Sequence, residues 1–387
     1  MSDINRRRVL QRLGTALLLC LTYAAGFGVY AVRNQGAGAR ICGNSSQNVF
    51  WEAWDRVEES FYGDVPSAKA RTYGAIRGSL DLLDPHTMFL EPVPGELEKD
   101  NLRGAYGGIG ATIARNHAGL LILQPYPGSP TEQAGISEGD ALVAIDGEPV
   151  SPEAAETDVT ARLRGEVGTE VEITVRRPSG AILTVVLERS NVEVPSLTWR
   201  METAEIGYLR LETFTERTAQ ELSAALVSLA QEGAARLVLD LRGNRGGLVE
   251  PAVSVATQFL REGDVVMRQR GRDGEQALFA PKTGDVSAPM VILVDGDTAS
   301  AAEIVAGALQ DNDRATLIGE RTYGKASVQE IYDLSDGSSL HVTTAIWLTP
   351  AGHPIAGTGL TPDMIVPAGP GTSDEPLTAA VAHLELE

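Results

Sequence analysis

An α/β layer fold is the expectation for the C-terminal half of this 387-residue chain, with a β-rich module and a helical segment ahead of it. Three observations carry that expectation. From about residue 196 onward, apolar runs of strand length alternate with helical patterns, as when helices cover the faces of a sheet. Between residues 105 and 193 the texture is short β-branched runs separated by glycine turns. Across residues 48–83, apolar side chains recur at three- and four-residue spacing. The parts expected are therefore an N-terminal segment 1–35, a helical segment 36–104, the β-rich module 105–193, the α/β core 194–370 and a tail with a short helix, 371–387.

The N-terminal segment has its own logic. Arg6, Arg7, Arg8 and Arg12 precede the apolar residues 13–32, a stretch of about twenty residues, long enough to cross a bilayer as a helix. Arginines before the stretch and an acidic body after it place the body outside the cytoplasm. The expectation is a retained anchor in a bacterial-type inner membrane, with the rest facing the periplasm or the cell exterior. The alternative is a cleaved signal and a secreted protein, since Val29-Tyr30-Ala31 would pass as a processing site. The net charge of −20, with no basic stripe in the body, argues against nucleic acid as a partner. With Cys20 in the apolar stretch, Cys42 has no partner for an internal disulfide.

After the helical segment, "DPHTMFLEP" breaks the pattern with prolines. Strand candidates in the next module are "YGGIGATIA", "GLLILQPYPGSPTEQAG", "GDALVAIDGEPV", "EVEITVRR" and "AILTVVLE". In the core they are "EIGYLRLETF", "ARLVLDLRG", "PMVILVDG" and "ATLIGE", with helices over residues 218–231, 248–260 and 301–309. "VQEIYDLSDGSSLHVTTAIWLTP" reads as a hairpin turning at Asp336-Gly337.

Chemistry-bearing candidates lie in that core. Ser300 follows the apolar run "PMVILVDG" where a helix begins, and Ser300-Ala-Ala-Glu303 fits a capping box. A cap and a nucleophile are both open readings of Ser300. The glycine cluster "DLRGNRGG" follows a strand and opens a helix, which suits a tight turn or a nest of amides around an anion. It lacks the lysine and serine of a nucleotide loop, so an oxyanion is the better functional occupant. Lys325 sits in "ERTYGKASVQ" among small residues; a buried lysine loses its proton readily and can act as a general base. HExxH, paired CxxC, P-loop and GxSxG patterns are missing, and none of the five histidines sits in a base motif. No metal or cofactor is called for.

The segment "DGDTASAAEIVAGALQDNDRATLIGERTYGKASVQ" resembles the signature of the C-terminal processing peptidases, or tail-specific proteases. The resemblance extends to "YGAIRGSLDLLDPHTMFLEP", "GGIGATI", "GSPTEQAGISEGDALVAIDG", "LVLDLRGNRGG" and "TPAGHPIAGTGLTPD", nearly the whole chain beyond the N-terminal segment. It implies a ClpP/crotonase-like core with a PDZ domain and an N-terminal helical segment. Carried over by motif, the nucleophile is Ser300, its lysine base Lys325 and the residue orienting the base Gln329. Two departures stand out: Ala302 replaces a second serine common in the family, and Ala326 a glycine. Neither removes a catalytic group.

The activity implied is a serine endopeptidase acting on exported protein substrates. Amides of Gly246 or Gly247 and of Ala301 would hold the oxyanion. The loop Tyr106-Gly107-Gly108-Ile109-Gly110 would bind the free C-terminus of the substrate, with the next strand pairing to it. Asp297 or Thr298 would cap the helix, leaving the serine oxygen free. Rival readings are a non-catalytic PDZ scaffold at the membrane and an acyl hydrolase using the same pair. Self-association into a homo-oligomer is left open.

Overall fold

A computed structural model describes residues 45–386, except 152, 283, 285 and 370–372. The expected anchor over residues 13–32, and both cysteines, lie outside the described residues; among those described, no helix is long and apolar enough to cross a membrane. The helical segment resolves into α1 (Ser45–Ser60) and α2 (Ala68–Leu80), parted by a stretch containing Gly63 and Pro66. The chain divides into two units after Thr72, inside α2.

The second unit opens with β1 (Met88–Leu90) and α3 (Pro92–Arg103). The prolines of "DPHTMFLEP" do break the helical pattern, but the second of them, Pro92, opens α3, a helix the spacing does not predict. Pro92 stands at the start of the helix, where its missing N–H is an orphan anyway, and Gly104 closes it in the left-handed conformation (φ 74°).

The β-rich module follows: β2 (Ala105–Gly108), β3 (Ala111–Arg115), β4 (Leu121–Pro125), α4 (Pro130–Gln133), β5 (Ala141–Ile145), β6 (Glu148–Pro149), α5 (Glu156–Leu163), β7 (Glu170–Arg176), β8 (Ile182–Glu188) and β9 (Ser190–Glu193). Strands β3-β4-β5-β7-β8 form one antiparallel sheet. Its inward side chains, among them Leu123, Ile145 and Ile173, pack with Val159 and Leu163 of α5. The expected single strand over "YGGIGATIA" is two strands, because Gly110 turns the chain at φ 76°. β2 leaves the sheet and pairs with β9, so the module enters and exits the rest of the unit through a paired ribbon.

The core contains β10 (Leu197–Met201), β11 (Ile206–Leu211), α6 (Thr218–Gln231), β12 (Arg236–Asp240), α7 (Val249–Thr257), β13 (Val265–Gly271), β14 (Gly274–Phe279), β15 (Met290–Val294), α8 (Ala301–Asp311), β16 (Thr316–Gly319), β17 (Ser327–Asp333), β18 (Ser339–Leu348), β19 (Met364–Ile365) and α9 (Glu375–Leu386). Its main sheet runs β10-β11-β12-β15-β16-β19, parallel from β11 onward. Period-two alternation divides the strands between two apolar layers. Leu209, Leu239, Ile292 and Leu317 pack with α6, α7 and α8, whereas Tyr208, Val238, Val291, Leu293 and Ile318 pack with Leu377, Ala380 and Leu384 of α9. Both faces being covered, β12 and β15 read as unbroken apolar runs. The hairpin β17–β18 turns at Asp336-Gly337 and joins β1, β13 and β14 in a second sheet, whose β13–β14 hairpin the sequence reading did not anticipate.

Candidate active site

Parallel strands direct their carboxyl ends to one edge, and the loops after β12 and β15 meet there. Two main-chain contacts and one to a side chain tie these segments together. The Leu241 N–H donates to Leu293 O (2.9 Å), Ala299 N–H to Asn244 O (2.9 Å), and Gly243 N–H to Asp295 Oδ1 (3.0 Å). Ser300 occupies the N-cap of α8 with φ 56° and ψ −119°. A positive φ on a residue with a Cβ is strained, and strain of this kind concentrates at functional positions.

Asp297 and Thr298 do not cap α8, contrary to expectation. Thr298 Oγ1 instead donates to Leu241 O (2.9 Å) and accepts the Asp295 N–H (2.9 Å), which shapes the turn ahead of Ser300. Glu303 supplies the partner for the Ser300 N–H, at 2.9 Å.

Lys325 arrives on the segment between β16 and β17. Gly324 makes that path available: at φ 90°, an added Cβ would lie 2.7 Å from both Gly359 N and Ile355 O. These two atoms belong to "HPIAGTGL", which explains why that motif accompanies the lysine. Burial pushes the Lys325 pKa down, opposed in part by the charge of Glu98. Its Nζ donates to Gln329 Oε1 at 3.3 Å, not to Ser300. A register shift between Val328 and Gln329 accompanies the placement of that amide, as bulges often re-aim a side chain. Gln329 Nε2 in turn donates to the His86 carbonyl. "DPHT" is a turn built for this contact: Asp84 accepts from the His86 N–H (2.8 Å), the Thr87 hydroxyl (2.6 Å) and the Thr343 hydroxyl (3.1 Å).

Ser300, Lys325, Gln329 and Gly247 line one cleft of about 870 Å³, with Glu98, Leu102, Glu216, Arg245 and His341 among its other walls. Gly246 sits against the serine and Gly247 against Phe214, both in backbone conformations open to glycine (φ 101° and 138°). An added Cβ on Gly246 would lie 2.8 Å from Ser300 Cβ, and on Gly247 2.2 Å from Phe214 O. The Gly246 N–H is already committed to Asn244 Oδ1 (2.8 Å). Of the donors expected for an oxyanion, Gly246 thus has its N–H engaged within its own loop.

Sequence reasoning missed Glu303 except as half of a cap. It is fully buried, and its carboxylate accepts from Thr322 Oγ1 (2.5 Å), Gly324 N–H (2.8 Å), Ser300 N–H (2.9 Å) and Lys325 N–H (3.0 Å). Burial raises its pKa and these hydrogen bonds oppose the rise. A signal existed: Glu303 is the lone charge in "SAAEIVAGAL". Glu98 was missed with its helix.

In the β-rich module, Tyr106 and Ile109 line a second cavity of about 260 Å³ with Ala111–Ile113 of β3 and Leu163 of α5. Gly107 and Gly108 lie within β2, paired opposite Asn191 and Ser190, and Gly107 packs so tightly on Gly165 that a Cβ would reach its carbonyl at 2.0 Å. On its open side β3 has no strand partner among the described residues.

A serine peptidase on a crotonase-like α/β core, with a PDZ domain inserted ahead of it, is the class that fold and cleft define. Residues 205–366 match peptidase family S41, and residues 121–177 match a PDZ domain. A carboxy-terminal-processing protease of Bartonella bacilliformis is 35% identical over 339 residues, 84% of this chain and 77% of its own length. The carboxy-terminal processing protease CtpA of Bacillus subtilis is 32% identical over 331 residues, 85% of this chain and 71% of its own. A solved photosystem II D1 C-terminal processing protease is 33% identical, with 84% of this chain and 94% of that one covered and a TM-score of 0.48. The chain belongs to peptidase family S41, among the C-terminal processing serine proteases.

Proposed function

We propose that Ser300 is the nucleophile and Lys325 its general base, with Gln329 orienting the lysine. The observation that carries this reading is one cleft holding a strained serine and a half-buried lysine whose Nζ bonds the Gln329 amide. Neutral Lys325 takes the Ser300 hydroxyl proton as the oxygen attacks a peptide carbonyl. The Gly247 and Ala301 N–H groups receive the oxyanion. The lysine then delivers its proton to the leaving amine, and a water deprotonated by the same lysine hydrolyses the acyl-enzyme. In the unliganded geometry Nζ must swing from Gln329 to the serine, an adjustment common when substrate is absent.

The substrate is an exported protein with a free C-terminus. Its tail adds to the open edge of β3, and its carboxylate meets the Ile109–Gly110 corner. Residues 13–32 hold the enzyme at the membrane with the cleft outside the cytoplasm. Ser300→Ala and Lys325→Ala should each abolish cleavage of an unfolded protein and labelling by a fluorophosphonate, with unchanged melting curves. Normal turnover by Lys325→Ala would remove lysine from the mechanism.

A further inference from the structure

We propose that Asp374, at the start of the C-terminal helix α9, is a positioning residue for the glycine loop beside Ser300. The residue touches neither the cleft nor its lining and acts through Arg242. That arginine lies in the loop after β12, a few residues ahead of Gly246 and Gly247.

The contacts form a fork in both directions. Arg242 Nη1 and Nη2 donate to the two oxygens of Asp374 at 2.7 and 2.8 Å. On the other side Nη2 donates to Asp240 Oδ2 at 2.6 Å and Nε to Oδ1 at 3.0 Å. Asp240 is fully buried and also accepts the Tyr208 hydroxyl at 2.6 Å. Paired planar forks of this kind fix direction as well as distance. Asp374 is itself immobilised, because Oδ1 accepts the Leu377 N–H (3.1 Å) and its carbonyl accepts the Thr378 N–H (2.9 Å), capping α9. Ala380 and Leu384 bury α9 against the sheet face opposite the cleft helices.

The latch thus ties the near end of the loop to a packed helix, while Gly243 and Asn244 are tied to Asp295 and Leu211. What it secures is the aim of the Gly247 N–H, and the inference rests on reading that group as an oxyanion donor. Stability is a weaker expectation. With Asp374 neutralised, Arg242 still has Asp240, so no buried charge is stranded.

The test uses the full chain and an unfolded protein substrate. Asp374→Asn should lower kcat by about tenfold, a fraction of what losing a whole donor does, with KM within about twofold. Inhibition by a peptide aldehyde, whose tetrahedral adduct uses the same donors, should weaken in parallel. Should that variant not fold, Arg242→Lys keeps the charge, loses the fork and should give the same split. Leu229→Ala, which removes buried packing of α6 and touches neither Arg242 nor α9, should lower the melting temperature and leave kcat alone. Unchanged kcat in both latch variants, or losses no larger than Leu229→Ala gives at equal loss of melting temperature, overturn the proposal. Gly247→Ala separates the two readings: inactive beside a normal Asp374→Asn, it removes only the latch, and if it is active too the oxyanion reading falls with it.

Discussion

Glu303 holds Lys325 by its main chain: Glu303 Oε2 accepts the Lys325 N–H at 3.0 Å. The same oxygen accepts the Ser300 N–H at 2.9 Å. Ser300 and Lys325 come from different loops, and one buried carboxylate ties their main chains together. Glu303→Ala should leave the N–H groups of Ser300, Gly324 and Lys325 unpaired, costing about 1–3 kcal/mol of stability for each that stays buried. Turnover should fall by more than the folded fraction does. Thermal melts read beside kcat decide the matter, and wild-type kcat in a folded Glu303→Ala protein would end this account.

The pH profile follows from burial of Lys325. Desolvation disfavours the ammonium, so the neutral base is available below the ordinary lysine range. Activity should be low in acid and rise through that depressed pKa. Glu98 opposes the shift, and its carboxylate is 3.0 Å from His341 Nε2. Glu98→Gln should therefore move the rising limb to lower pH. The same shift has a stability sign. A protonated, buried Lys325 penalises the folded state below its depressed pKa, and the penalty fades as pH rises toward the ordinary value. Lys325→Met should be the more stable protein in acid, with the advantage shrinking in alkali. A limb unmoved by Glu98→Gln would exclude this charge from tuning the base.

Gly246→Ala tests how closely the glycine loop must approach. Its Cβ would meet Ser300 Cβ at 2.8 Å and Ala301 N at 3.0 Å, in a conformation of φ 101°. The loop must shift, and the donors with it, so kcat should fall by about a hundredfold or more. The Gly246 N–H bonds Asn244 and not substrate, so Asn244→Ala, which frees the loop without adding bulk, should lower kcat as well. Full activity in Gly246→Ala would mean the loop does not need its present shape.

Tail recognition is read with amidated substrates. If the Ile109–Gly110 corner holds the tail as proposed, blocking the C-terminal carboxylate should remove charge-assisted hydrogen bonds and slow cleavage below saturation. Equal rates for free and amidated tails would take that corner out of the mechanism.

The sequence by itself determined the layers and named the residues that meet in the cleft. Strand runs such as "MVILV" and "RLVLD" are legible because a strand buried on both faces needs continuous apolar side chains. Ser300, Lys325 and Gln329 were legible because they sit in ordered motifs. Tertiary structure decided the rest. α3 hid behind prolines that a helix tolerates in its first turn, and with it went Glu98. Glu303 looked like a local cap, because a capping box is a short-range pattern. Its contacts to Gly324 and Lys325 exist only after β16 brings that segment back across α8. That the Gly246 N–H is engaged within its own loop turned on one side chain, Asn244, reaching one amide. Local spacing encodes periodicity and turn chemistry, whereas the partner of a buried polar group is set by which distant segments the sheet order makes neighbours.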